Sequence, residues 1–384
     1  MIYSANLHKE NDFRNFFAFF FILCTSFYVL FLNFAPMEAV VDDKIPYIQG
    51  QIERLVDEVV YLPGSEISAA VVRDADILVV RTRTHCNRSL LEGSQVRLIV
   101  TATIGFDHLD TDYLEAAGIR WTNCPGCNAS SVCQYVHNSL LATGFLTSSS
   151  PEPLVAGVVG VGHVGSLVAA DLQAAGLKVL LCDPPRARKE KDFRSIPLER
   201  LAEECDIITF HTPLNREGED ATYHLGDTAF FRSLRRCPVI INSSRGEVID
   251  NAALVQALDS RQVRAAIIDT WENEPDINPD LLQRAVIATP HIAGYSADGK
   301  ANATRMSLQA IAEFLHKPFT LSIQPPTLPS DYHYGAVAEG PLRLYDPRVD
   351  TQQLQSHPAS FEQLRGNYPL RREHLNPIGR LIGF

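Results

Sequence analysis

Three ionisable residues fall just after predicted strands in the second half of the chain. Arg245 follows Ile240-Ile241-Asn242-Ser243-Ser244, and Glu274 follows a strand that ends at Asp269. His291 follows a short strand, in Thr289-Pro290-His291-Ile292-Ala293-Gly294-Tyr295. The carboxyl ends of strands in an open α/β sheet form a ligand crevice, so the three can converge. Their types suit oxidation of a 2-hydroxy acid. His291 can take the hydroxyl proton as the C2 hydrogen leaves, a general-base step worth typically ~10²–10⁴-fold. Glu274 can fix the imidazole in one tautomer. Arg245 can hold the substrate carboxylate through a planar, two-pronged fork. Taken singly, an arginine of this kind is more often a surface ion-pair partner, and such a histidine a satisfied loop residue. Their joint placement carries the reading.

A second constellation lies upstream. Val158-Val159-Gly160-Val161-Gly162-His163-Val164-Gly165 runs a strand into G-x-G-x-x-G, with a predicted helix over 164–175. Asp183 ends the next strand. This context makes the motif a dinucleotide fingerprint. Gly160 permits the tight turn, Gly162 lets the backbone approach a pyrophosphate, and Gly165 lets helix and strand pack closely. The helix N-terminus offers free N–H groups to the phosphates. Asp183 suits the ribose hydroxyls of NAD and opposes the extra phosphate of NADP. Arg186 and Arg188 just downstream argue the other way, since they could neutralise it.

The elements that must position these residues form two α/β series. The first has strands at 39–43, 59–62, 77–80, 98–101 and 119–122, with helical stretches at 49–58, 68–73, 89–93 and 112–117. A longer helix over 130–147 leads to a polar break near Pro151. The second series has strands at 155–159, 179–182, 207–210, 239–242, 265–269 and 286–288, then an amphipathic helix over 296–316. Continuous apolar strands alternating with helices predict parallel sheets covered on both faces. The fold class is therefore α/β, with two doubly wound, Rossmann-like domains. After Pro318 the composition shifts to a Pro- and Tyr-rich linker, then a short mixed segment over 340–372.

Composition bounds the rest. The chain has 384 residues, 34 Lys+Arg and 45 Asp+Glu, giving a net charge of −11. An acidic chain without a basic block argues against a nucleic-acid partner. The eight cysteines are scattered and suggest reduced thiols, hence a cytoplasmic location, with no metal. Cys124-Pro125-Gly126-Cys127 has redox spacing, but such a role needs a lowered thiol pKa. Residues 16–34, FFAFFFILCTSFYVLFLNF, are almost wholly apolar and just long enough for a membrane span. Lys9 and Arg14 precede them as in a signal anchor, and Pro36 after Ala35 disfavours cleavage. The expectation is instead that residues 1–36 lie upstream of a start at Met37, because the first strand follows with no polar spacer. Membrane association is expected only if residues 1–36 are genuine.

The order G-x-G-x-x-G, Asp183, His211-Thr212-Pro213-Leu214, Arg245-Gly246, Asp269, Glu274-Pro275 and His291-Ile292-Ala293-Gly294 resembles the D-2-hydroxyacid dehydrogenase family. Further stretches resemble the branch of that family that acts on a phosphorylated erythronate. They include Val41-Asp42-Asp43-Lys44-Ile45-Pro46-Tyr47, Thr103-Ile104-Gly105-Phe106-Asp107-His108 and Cys182-Asp183-Pro184-Pro185-Arg186. The segment Phe361-Glu362-Gln363-Leu364-Arg365-Gly366-Asn367-Tyr368 is similar to that branch's C-terminal dimerisation region, although the tail is shorter than usual.

The resemblance implies oxidation of 4-phospho-D-erythronate at C2 by NAD, in the route to pyridoxal 5′-phosphate, by a homodimer. It places Arg245, Glu274 and His291 at the active site, with His291 moving the proton. It matches Thr82, Thr103 and Tyr295 to substrate positions, and Asp183, Thr212, Asp269 and Gly294 to NAD positions. Backbone N–H groups at Thr103-Ile104-Gly105 can assist Arg245, and Arg81, Thr82 and Tyr295 are candidates for the phosphate.

The implied domains are 37–130 with 296–318 for substrate, 131–295 for NAD, and 319–384 for dimerisation, with a hinge at the two crossings. Phosphoglycerate dehydrogenase or hydroxypyruvate reductase activity is the nearest alternative, since the triad does not separate them. A non-enzymatic NAD-sensing protein is the alternative from another class.

Overall fold

The computed structural model describes residues 36–146, 152–329, 331–337 and 339–373. The apolar leader read at 16–34 lies outside them. Two parallel sheets form, as the alternation of apolar strands and helices predicts. The first contains β1 (Glu38–Asp42), β2 (Glu58–Leu62), β3 (Ile77–Val80), β4 (Leu98–Thr101) and β5 (Arg120–Thr122), in the order β2-β1-β3-β4-β5. The second contains β6 (Val155–Val159), β7 (Lys178–Cys182), β8 (Ile207–Phe210), β9 (Val239–Asn242), β10 (Ala265–Ile268) and β11 (Ile287–Ala288), in the order β11-β10-β9-β8-β6-β7.

Alternate side chains of a strand point to opposite faces, so each central strand feeds two cores. In β1, Ala39 and Val41 join one apolar cluster and Val40 the other. In β6, Ala156 and Val158 face one side while Val155 and Val159 face the opposite one.

Two expected helices do not form. The stretch 49–58 makes only a single 3-10 turn, Ile52–Arg54. The reason is length, because β2 already begins at Glu58 in register with Glu38. Ile52, Leu55 and Val56 are buried from that turn alone, which produced the helical pattern. The stretch 68–73 is likewise a turn, closed by bonds from the Val71 and Val72 N–H groups to the Ser68 carbonyl.

The chain crosses between the sheets twice. Helix α1 (Ala129–Ala142) lays Val132, Tyr135, Val136 and Leu140 into the core of the second sheet. Helices α2 (His163–Ala174) and α3 (Pro184–Lys189) follow β6 and β7. Helix α4 (Ala297–Phe314) starts at Ser296, whose side chain caps the Gly299 N–H, and returns to the first sheet. There Ala301, Leu308, Ile311 and Ala312 pack among β1, β3 and β4 residues.

The segment after Pro318 is more ordered than its mixed composition suggests. Helices α5 (Pro347–Ser356) and α6 (Phe361–Gly366) send Leu354 and Phe361 into a core of the second sheet. Arg371 is fully buried. Its guanidinium donates to the carbonyls of Ser131, Ile292 and Ala293 and lies 4.0 Å from the Tyr345 ring centroid. Glu373 accepts from both Ser130 and Ser296, joining the starts of α1 and α4.

Candidate active site

The strand order of the second sheet reverses between β6 and β8, which opens a crevice at their carboxyl ends. The glycine turn sits there. Gly160 has φ +83°, and a Cβ on it would meet the backbone of His211 and Thr212 at 2.8 Å. A Cβ on Gly165 would lie 1.9 Å from the Gly160 carbonyl oxygen, while one on Gly162 would face open space. The turn thus has the three properties its motif predicts: tight, packed on its helix and open toward a ligand.

The Asp183 carboxylate accepts from the Val161 N–H at 2.8 Å and the Arg186 N–H at 2.9 Å. These bonds brace the turn and leave further lone pairs for ribose hydroxyls. Among the described residues the buried Thr212 hydroxyl oxygen has no hydrogen-bond partner, so the crevice has an unspent polar group where a dinucleotide would lie. These features fit NAD. The two arginines that argued for NADP are otherwise engaged. Arg186 donates to Val161 O, Ser166 and Glu190, and Arg188 pairs with Asp220 and Glu219.

Arg245, Glu274 and His291 line one cleft of about 260 Å³ with Gly246, Glu247, Trp271 and Asn273. Glu274 Oε2 lies 2.8 Å from His291 Nδ1, and its Oε1 accepts from the Trp271 N–H at 2.9 Å. Burial pushes the Glu274 carboxyl up. The bond and charge of His291, the Trp271 N–H and Arg365 outweigh that, and the net shift is downward. An anionic Glu274 on Nδ1 leaves Nε2 of His291 for chemistry.

His291 itself has φ +57°, in the left-handed region that non-glycine residues seldom adopt. Its loop is held by Asp269, which accepts from Thr289 Oγ1 (2.7 Å), Ile292 N (2.8 Å) and Ala293 N (2.9 Å). Those three bonds fill most of the acceptor capacity of Asp269, a cofactor candidate from the sequence. Gly294 is required by packing, since a Cβ there would come within 2.1 Å of Asn128 Nδ2.

The substrate candidates come from the other sheet. Arg245 Nη2 reaches the loop after β4, where a Cβ on Gly105 would lie 2.9 Å from it. The Thr103 hydroxyl is spent on that loop, donating to Gly105 O and sitting 2.7 Å from Thr101 Oγ1. Among the described residues the N–H groups of Thr103, Ile104 and Gly105 make no hydrogen bond, so they remain available beside Arg245. Thr82 is exposed after β3, and Arg81 donates to the Lys44 carbonyl. The Tyr295 hydroxyl accepts from Arg365 at 3.1 Å.

Sequence reasoning had not singled out Arg365, Lys300, Asn128 or Arg371. The contacts of Arg365, Asn128 and Arg371 join positions tens to hundreds of residues apart, and Lys300, although close to Tyr295 in sequence, carries no motif. Cys124 and Cys127 are buried, and burial pushes their thiols up to about 11 and about 12, the opposite of a reactive pair.

A dinucleotide turn at the switch point, together with a histidine–glutamate pair facing an arginine, defines an NAD-dependent dehydrogenase of 2-hydroxy acids. Residues 135–293 match the family described as D-isomer specific 2-hydroxyacid dehydrogenase, NAD binding domain. The erythronate-4-phosphate dehydrogenase of Bacteroides thetaiotaomicron is 55% identical over 339 residues, spanning 88% of this chain and 97% of that protein. The one from Porphyromonas gingivalis is 45% identical, spanning 88% of this chain and 94% of that protein. The chain belongs to the erythronate-4-phosphate dehydrogenase family, within the D-2-hydroxyacid dehydrogenases. Solved structures share the fold. The NAD-bound 3-phosphoglycerate dehydrogenase of Entamoeba histolytica has a TM-score of 0.60 at 24% identity, over 73% of this chain and 96% of that one. The D-lactate dehydrogenase of Aquifex aeolicus, complexed with NAD and lactic acid, has a TM-score of 0.59 at 23% identity, over 72% of this chain and 95% of that one.

Proposed function

We propose that the protein oxidises 4-phospho-D-erythronate at C2 to 2-oxo-3-hydroxy-4-phosphobutanoate, a step toward pyridoxal 5′-phosphate. The observation that carries the reading is the 55% identity to an erythronate-4-phosphate dehydrogenase across nearly the full length of that relative. NAD, when bound, supplies the acceptor for the C2 hydrogen as hydride. Arg245 and the open N–H groups of residues 103–105 bind and orient the carboxylate. His291 Nε2 receives the proton of the C2 hydroxyl as the C2–H bond breaks, and Glu274 on Nδ1 balances the charge that forms on the ring. Asp183 and Thr212 hold the cofactor on the glycine turn.

The segments 37–130 with 296–318 act as the substrate domain and 131–295 as the NAD domain. The hinge lies where α1 and α4 begin, and closure over the cleft excludes water. The tail 319–384 contributes to a homodimer on this reading, and sedimentation of the full chain tests it. A cytoplasmic location is supported by the seven cysteines among the described residues, all of them free. Among the described residues no helix is long and apolar enough to cross a membrane.

The experiment is NADH formation with 4-phosphoerythronate and 3-phosphoglycerate assayed side by side, with a 2-oxo acid present in case cofactor release is slow. Preference for 4-phosphoerythronate is expected. Preference for 3-phosphoglycerate would overturn the substrate while leaving the family intact.

A further inference from the structure

The loop that carries His291 is gripped from two sides by opposite charges. On one side the Asp269 carboxylate accepts from the N–H groups of Ile292 and Ala293, at 2.8 and 2.9 Å. On the other side Arg371, from the tail, donates to the carbonyls of the same two residues. Its Nη1 lies 3.2 Å from the Ile292 oxygen and its Nη2 2.8 Å from the Ala293 oxygen. The peptide between Ile292 and Ala293 is therefore held at both ends, its N–H by an anion and its carbonyl by a cation. It cannot turn without breaking a charge-assisted bond. His291 stands directly before this peptide with φ +57°. A backbone of that kind persists only where its surroundings over-determine it.

Arg371 is itself fixed. Its side chain is fully buried, and Nε donates to Gln134 Oε1 at 3.0 Å. Nη2 also reaches the Ser131 carbonyl at 2.7 Å and the Ser131 hydroxyl at 2.6 Å. The next two residues fasten the segment: Arg372 pairs with Asp298 at 2.8 Å, and Glu373 accepts from Ser130 and Ser296. Among the described residues Arg371 makes no ion pair, so its charge is spent on backbone oxygens, neutral side chains and the Tyr345 ring. Desolvating a guanidinium in this way is costly, and stability alone is a weak reason for it. A rigid planar fork spanning two successive carbonyls is what a fixed loop needs, and a lysine could not supply it. The fork comes from outside residues 135–293, the part that matches the NAD-binding family.

We propose that Arg371 is a positioning residue for the oxidation: it holds the 292–293 peptide so that the His291 imidazole stays on Glu274 and presents Nε2 to the substrate hydroxyl. This rests on the reading of His291 as the base. The tail then serves catalysis through the loop as well as through packing.

The test is a double-mutant cycle on kcat for NADH formation from 4-phosphoerythronate, expressed per NAD-binding site. Counting sites by NAD titration removes any misfolded fraction from the comparison. Arg371→Met lowers kcat roughly 10- to 100-fold, the cost of misplacing a reacting group by about 1 Å, with NAD affinity near wild type. Arg371→Lys keeps a buried cation without the planar fork and loses a smaller part of the same rate. It carries the test if the Met variant does not fold. In the His291→Gln background no base is left to aim, and both substitutions change kcat by less than about twofold. A role in packing alone would cost the same factor in both backgrounds. That result, or a wild-type kcat in Arg371→Met, would overturn the proposal. His291→Gln with the wild-type rate would instead defeat the reading of His291 as the base, and the proposal with it.

Discussion

Two groups of basic residues border the crevice, and the structure treats them in opposite ways. At the cofactor end, Arg186 and Arg188 stand beside the acidic Asp183, yet both are turned to other partners. Arg186 reaches back to Val161 O and Glu190, and Arg188 is neutralised by Asp220 and Glu219. Near Tyr295, Lys300 has no acidic partner among the described residues, and Arg365 stands short of bonding distance from its two carboxylates. From sequence the first group argues for NADP, because its arginines adjoin the dinucleotide motif and could neutralise the extra phosphate. In the fold those arginines are already paired, and Lys300 and Arg365 are the less fully satisfied group. The number of basic residues near a site does not decide where a phosphate binds. What decides is whether the protein's own acids have already satisfied them. Exposed pairs such as Arg188–Asp220 add little stability, but they still fix what the arginine can offer.

The largest expected effect lies outside both groups and calibrates them. His291→Gln lowers kcat about 10²–10⁴-fold, while NAD affinity and KM for 4-phosphoerythronate stay near wild type. Steady-state kinetics with cofactor titration checks this. A large rise in KM would mean that the base and the substrate-binding groups work as one unit, and the contrast between rate and recognition would fail.

The cofactor end can be pushed the other way. Asp220→Asn combined with Glu219→Gln strips Arg188 of its partners. An unpaired arginine near the adenosine ribose gains a use for the extra phosphate of NADP. The expected result is a rise of roughly 3- to 10-fold in kcat/KM for NADP, the effect of one exposed charge contact, with little change for NAD. No gain would show that Asp183 alone excludes NADP and that the engagement of Arg188 is incidental.

How much of this was legible differs between the two ends for the same reason. The cofactor turn is written in consecutive residues: three glycines, a strand before, a helix after and an acid on the next strand. Strands such as Ile77–Val80, Leu98–Thr101 and Ile207–Phe210 were equally readable, because burial on both faces leaves an unbroken apolar run. The triad was readable from strand ends. Arg365 was not, because an arginine in a tail looks like an ordinary surface charge until the fold brings it to Tyr295, and Lys300 on its helix has no motif to mark it. The failed helices at 49–58 and 68–73 have a local cause: a few buried apolar residues give helical spacing whether they sit on a helix or on one turn, and only the strand registers show that there is no room for more.

The smallest effect concerns stability and contrasts two basic side chains. Lys300 is half-buried against the Tyr295 ring. His211 beside the glycine turn sits 2.9 Å from Thr209 Oγ1, and burial pulls its pKa down to about 3. The unfolded chain takes up a proton near pH 6.5, whereas the folded one stays neutral. The unfolded state therefore binds more protons between pH 6.5 and about 3, and stability falls as pH drops through that window. The contribution is intact above pH 6.5 and changes by at most about 1.4 kcal/mol per pH unit below it. His211→Asn removes this dependence, so the difference in melting temperature between wild type and variant should shrink from pH 7 to pH 5. Thermal melts at both pH values measure it, and taking the difference cancels the other titrating groups. A gap that stays constant would mean that His211 picks up its proton in the folded state as readily as in the unfolded one. In that case the crevice beside Thr212 is wetter than its unpartnered hydroxyl implies.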